Sequence, residues 1–346
     1  MPARLPSNTL AALAFGTYAA LGHGQGVPPD YGHDFVTIGA PGNRGATGAE
    51  APMWRADLHG PLGAVDYSYR ITRTEVTNAQ YFEFVSLYTK TPGFVGGRSI
   101  FGSSIVVDGF DPGGFPIIRI LPGSENHAAD PGFHYAARYV NWLHNGQGTD
   151  LEDFETGVYD TSTFGIDPVT GQRTDQIARS PGATFFLPTI HEWTKAAHYD
   201  PDRYGPGQEG YWLYPGASDD PLVGGPPGTS GAETSAGIAF DHPEYRRLDV
   251  GLYPDVTGPW GLLDVSGGEE EVTESISDFV RRNRFGAGTN TAALDLSLQD
   301  RLDWYVQARP ENTIGFRIAG VVPAPSGSLI LAMAAMVSGV RRRRVP

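Results

Sequence analysis

The sequence predicts a loop-rich globular body that mixes short strands with a few helices. Three observations lead there. Gly (46) and Pro (28) together exceed a fifth of the 346 residues without a collagen period, which means many turns and long irregular connections. Two short runs alternate with period two, Asp34–Gly39 and Tyr67–Ile71, and read as strands. Three longer runs carry helical periodicity with explicit start or stop chemistry. Hydrophobic content of 40% and charged content of 18% belong to a folded chain, and the length supports a sizeable core.

The helices follow in order. Thr77 precedes Gln80 by three residues, a capping box, and apolar residues recur at Tyr81, Phe84, Val85 and Tyr88. Phe133, Ala136, Ala137, Val140 and Leu143 form one stripe, with Gly146 as the left-handed stop. Thr189 and Glu192 make a second capping box before Trp193, Ala196 and Ala197.

The two ends read as addresses. Met1–Gly26 has Arg4, an apolar run from Leu10 to Leu21 and small residues after it, the layout of a secretory signal peptide; the other reading is an N-terminal helix. At the far end, Val322–Ser326 precedes an apolar stretch, Leu329–Val340, and four arginines, Arg341–Arg344. That run is short for a membrane span, but it suits a C-terminal anchor with its arginines on the cytoplasmic side. Either way the body is expected outside the cytoplasm, at the cell surface, in the outer envelope or in the extracellular space. A net charge of −14 argues against nucleic acid. The absence of cysteine removes disulfides, thiolate metal sites and cysteine nucleophiles together.

The stretch Val250–Glu274, VGLYPDVTGPWGLLDVSGGEEEVTE, resembles the signature of the sulfatase-modifying-factor (formylglycine-generating enzyme) family. TEVTNAQYFEF, YAARYVNWLHNGQ, FLPTIHEWTKAAHYDP and PENTIGFRIA resemble further motifs of that family in its order, across Asp34–Gly320. The resemblance implies a single α+β domain over residues 34–320 with the family's variant of the C-type-lectin-like fold. The C-terminal layout in residues 322–346 is similar to a PEP-CTERM sorting signal, with Ala324 where its Glu stands, which implies an exosortase-type partner and membrane contact before processing.

The family oxidises a cysteine at copper held by two thiolates. Between Phe279 and Glu311 there is no sulfur, and copper(I) needs soft ligands, so that oxidation is excluded and no copper is expected. Calcium is the expected cofactor by resemblance. Glu271 falls on the family's Glu, whereas Gly268, Glu270 and Val272 replace its Asn and two Trp. Glu269, Glu270, Glu271 and Glu274 thus stand as candidate calcium ligands, or as a solvated acidic turn.

Histidines offer little. His191-Glu192-Trp193-Thr194-Lys195 lacks the second histidine of a zinc helix, and His191 with His198, or His134 with His144, lacks a third ligand. No G-x-S-x-G is present. Tyr211, Trp212 and Tyr214 could line a groove for sugar or peptide, or pack in the core; Trp260 and Trp304 are further groove candidates, with core packing favoured for Trp260 among its aliphatic neighbours. The function expected is a non-catalytic binding module of the envelope or extracellular matrix, with polysaccharide or a surface protein as ligand. The alternatives are an enzyme with a non-thiol metal site on the same fold, and a structural matrix protein.

Overall fold

The computed structural model describes residues 28–51, 60–94, 96–172, 174–238, 247–278, 281–285, 303–306 and 314–322. The expected signal segment and nearly all of the C-terminal sorting segment lie outside them. Residues Pro29–Val322 make up one compact unit.

The first strand, β1 (Phe35–Ile38), pairs antiparallel with β2 (Tyr69–Thr72), close to the two alternating runs. The main sheet is completed by the end of the chain. Strand β12 (Ala319–Val321) lies between β2 and β5 (Phe185–Phe186), giving the order β1-β2-β12-β5. A second sheet runs β10-β9-β8-β11: Asp303–Val306, Arg281–Phe285, Glu270–Asp278 and Ile314–Gly315. Its β8 and β11 are parallel. Two small pairs complete the strands, β3 (Ile105–Phe110) with β4 (Pro116–Ile120), and β6 (Tyr199–Asp200) with β7 (Gly210–Tyr211).

The helices begin where their caps predict. Helix α1 (Asn78–Tyr88) starts from the Thr77–Gln80 capping box, and α4 (Ile190–His198) from Thr189–Glu192. Helix α2 (Phe133–His144) stops at Asn145, and Gly146 takes φ +74°. A short helix, α3 (Leu151–Glu155), follows. Among the described residues no helix is long and apolar enough to cross a membrane.

Both α2 and α4 are buried around more of their circumference than an amphipathic stripe requires. On α4, Glu192, Thr194 and Lys195 are as inaccessible as Trp193 and Ala196. The two charged groups there survive because each has a partner: Lys195 Nζ donates to the carbonyl of Ala40 at 2.9 Å, and Arg179 bonds Glu192 at 2.7 Å. The core between α1, α2 and α3 is aromatic. Phe84 stacks on Tyr88 (5.5 Å, 18°) and meets Tyr139, Trp142 and Phe154 within 6.0 Å.

Mixed α+β, loop-rich and single-domain, the fold class agrees with the sequence reading. Because Phe84 joins three helices at full burial, Phe84→Ala is expected to cost about 3–5 kcal/mol in chemical denaturation. A loss under 1 kcal/mol would mean that this aromatic cluster does not organise the core.

Candidate functional site

The run Glu269–Glu274 is not an exposed acidic turn. Glu270, Glu271 and Glu274 belong to β8, and all four glutamates are at most 7% accessible. Their side chains take different directions. Glu271 accepts from Trp193 Nε1 and pairs with Arg317 Nε at 2.6 Å. Glu274 accepts from the Tyr159 hydroxyl at 2.7 Å, and Arg179 stands 3.6 Å away. Glu269 Oε2 is buried without a hydrogen-bond partner. Among the described residues no three His, Asp or Glu side chains group as metal ligands.

Arg317, fully buried, is the hub of this region. Nη1 donates to the carbonyls of Thr72 (3.2 Å) and Arg73 (2.5 Å), Nη2 donates to Leu263 (2.6 Å), and Glu75 lies 3.5 Å off. Burial raises the Glu75 carboxyl well above the usual range; Arg317 pulls it back, while Asp264 and Glu271 push it further up. Glu271 is raised for the same first reason.

Three of the candidate histidines already hold hydrogen-bond partners. His191 Nδ1 accepts from the Gly63 amide at 3.1 Å, and His144 Nδ1 sits 2.8 Å from the Thr184 hydroxyl. His198, buried, donates from Nδ1 to the Trp212 carbonyl at 3.1 Å, and burial lowers its pKa to about 4. The expected aromatic groove does not assemble either. Tyr211 is wholly inside, its hydroxyl held between Asn43 and the Arg44 carbonyl. Trp212 bonds Asp200 at 3.1 Å under the Arg203 guanidinium, and Tyr214 packs separately, on Ala236. Trp260 is partly buried and stacks 6.5 Å from Tyr199. The side chain of Trp304 lies outside the described residues.

What the structure offers instead is a cavity of about 570 Å³ between the N-terminal half of α2, Gly93 and Ser99, and α3 with the turn that follows it. His134 and Arg138, one helical turn apart on α2, both face it. Glu155, at the end of α3, receives Arg138 in a fork: Nε to Oε1 at 2.9 Å and Nη2 to Oε2 at 2.8 Å. Tyr88 and Thr161 also donate to Glu155. Burial alone would raise this carboxyl, but the Arg138, Thr161 and Tyr88 hydrogen bonds outweigh it and hold it below the ordinary value. The guanidinium lies 5.5 Å from the Tyr135 and Phe164 rings.

Two local devices fix the cavity wall. Asn141, fully buried, uses both ends of its amide: Nδ2 donates to Phe154 and Tyr159 carbonyls, and Oδ1 accepts from the Val158 and Tyr159 amides. Gly157 makes the turn at φ +111°, where an added Cβ would meet His144 Cδ2 at 2.8 Å. Asp160 then caps the next turn through Ser162.

Sequence reasoning named His134 but missed Arg138, Glu155 and Asp175. Arg138 had a signal in its i+4 spacing from His134. Glu155 and Asp175, 17 and 41 residues away from their partners, had none.

No protein-family model matches the chain, and no curated protein matches it. Solved structures similar to it include the following three. CarF is 17% identical, with a TM-score of 0.49, over 84% of this chain and 99% of that one. Treponema denticola variable protein 1 is 14% identical, with a TM-score of 0.49, over 83% and 95%. PvdO from Pseudomonas aeruginosa is 14% identical, with a TM-score of 0.47, over 83% and 94%.

Two outcomes follow for stability. Arg317→Met removes the cation shared by Glu75 and Glu271, an expected cost of about 3–5 kcal/mol near neutral pH. Both carboxyls hold protons more tightly folded than unfolded, so the stability they contribute is present in acid and is lost as pH rises. The variant's deficit therefore shrinks towards pH 5, and a deficit equal at both pH values would refute the electrostatic account. His198 behaves oppositely. Its shift from 6.5 to about 4 is worth about 3 kcal/mol, present above pH 6.5 and lost as pH falls towards 4. His198→Asn, which keeps a donor for the Trp212 carbonyl, should flatten that part of the stability–pH curve; an unchanged slope would exclude His198 as its source.

Proposed function

We propose that this chain is an exported, thiol-free relative of the formylglycine-generating enzymes, working as a non-catalytic binding module of the cell envelope or extracellular polysaccharide matrix. Support for the family comes from the motifs and their placement. TEVTNAQYFEF carries the cap and core face of α1, YAARYVNWLHNGQ is most of α2 and its stop, and GFR supplies the buried Arg317. Support for a module without the family's oxidation comes from the absence of any cysteine.

The observation that carries a binding role is the cavity beside α2. Its size suits a small ligand or a few sugar units, and its lining joins aromatic surface (Tyr135, Phe164) to polar groups (Ser99, Thr156, Asp160, Ser162). Saccharides present that same alternation of apolar ring faces and hydroxyls. This cavity, rather than the Tyr211–Tyr214 segment, is the site we assign to the polysaccharide.

Titration of the full chain with oligosaccharides should show saturable binding. Ser162 is exposed at the cavity lining, so Ser162→Trp should plug the cavity while changing stability by no more than about 0.5 kcal/mol. Binding that survives the plug undiminished would move the ligand elsewhere, and no saturable binding would favour a structural matrix role.

A further inference from the structure

The His134–Asp175 pair gives the cavity a chemical preference. Asp175 is almost wholly buried, with its side chain 2% accessible, and both its oxygens are used. Oδ1 accepts from the Gly165 amide at 3.0 Å, and Oδ2 lies 2.9 Å from His134 Nε2. The imidazole is stacked on Phe164 at 4.4 Å and 17°, so its plane is fixed as well. A carboxylate accepts and does not donate; Nε2 must carry the hydrogen. In the neutral ring Nδ1 is then a bare acceptor, and the Asp175 contact is the only hydrogen bond the ring makes among the described residues.

The remaining charges point the same way. Arg138 is the one other basic side chain in the lining among the described residues, and three of its five N–H groups are engaged: Nε and Nη2 by Glu155, Nη1 by the His134 carbonyl at 3.2 Å. Its charge is matched by Glu155. Asp160 uses Oδ1 for the amide and hydroxyl of Ser162 and keeps Oδ2 free. Among the described residues, the cavity therefore shows incoming groups an imidazole lone pair and the Asp160 carboxylate, and its one guanidinium is charge-paired with Glu155. Hydroxyl donors are welcomed there, and carboxylates, sulfates and phosphates are repelled.

Resting on the saccharide reading above, we infer that the cavity selects neutral saccharides against uronate-type ones. A ligand hydroxyl donates to His134 Nδ1 and a second to Asp160, while Asp175 acts as a positioning residue that sets the imidazole tautomer.

The test titrates the full chain with neutral hexasaccharides of glucose, mannose and galactose, and with hexagalacturonate. A neutral hexasaccharide should bind at least about tenfold more tightly than the uronate. Asp175→Asn removes a negative charge and can donate to Nε2, which transfers the ring hydrogen to Nδ1. Neutral affinity should then fall about tenfold, as for one lost hydrogen bond, while uronate affinity rises. A purely structural Asp175 would weaken both ligands alike, and that result would overturn the positioning role. Should Asp175→Asn not fold, the exposed Asp160→Asn reads the same charge effect, and an unchanged neutral-to-uronate ratio would count against the inference. Wild-type binding of uronate as tight as or tighter than the neutral sugars overturns the selectivity while leaving the saccharide reading in place. No binding of any hexasaccharide overturns both.

Discussion

One buried cation holds the domain's distant parts to one another. Arg317 has no solvent to stabilise its charge, so it must be satisfied by the protein, and its donors reach four places in the chain: the end of β2, the following residue Arg73, the Leu263 turn and Glu271 on β8. Removing a group of this kind costs far more than leaving it, because every partner would be stranded in a low-dielectric interior. The surrounding carboxylates follow from the same constraint. Glu75, raised by burial and by Asp264, and Asp264, raised by burial, are tolerable there only because Arg317 is present.

The same logic explains how so much irregular backbone is kept rigid. Long connections leave peptide groups without ladder partners, and polar side chains supply them. Asn141 ties the α3 turn to α2 with four hydrogen bonds, and Glu50 accepts from Thr47, Arg44 and the Tyr211 amide. Asn141 reaches 13 to 18 residues along the chain, and Glu50 joins its own turn to Tyr211, 161 residues away. The cavity owes its shape to this arrangement rather than to a sheet or a helix bundle.

That is also why the sequence was informative in some places and silent in others. Caps are local: Thr77 with Gln80 and Thr189 with Glu192 lie three residues apart, and both start helices as expected. Four glutamates within six residues look solvated because nothing nearby reveals Arg317, 46 residues downstream of Glu271. Tyr211, in a Gly-flanked segment, looks available for stacking, yet its hydroxyl finds Asn43 and Arg44 on a segment 168 residues earlier. Likewise the His134–Asp175 pair spans a loop with no periodicity to connect its members. Local chemistry was legible; the partners of buried polar groups were not.

The position of β12 sets an order of assembly. This strand is internal to the main sheet, flanked by β2 and β5, and it follows directly on Arg317. A ribosome or a translocation channel releases the N-terminal side first, so β2 and β5 wait unpaired on one edge until Val321 has emerged. Closure of the sheet is consequently a late, long-range event, slow by the usual dependence of folding rate on sequence separation. Until then the sheet stays open, and a truncation only a few residues short of Val321 would leave it so.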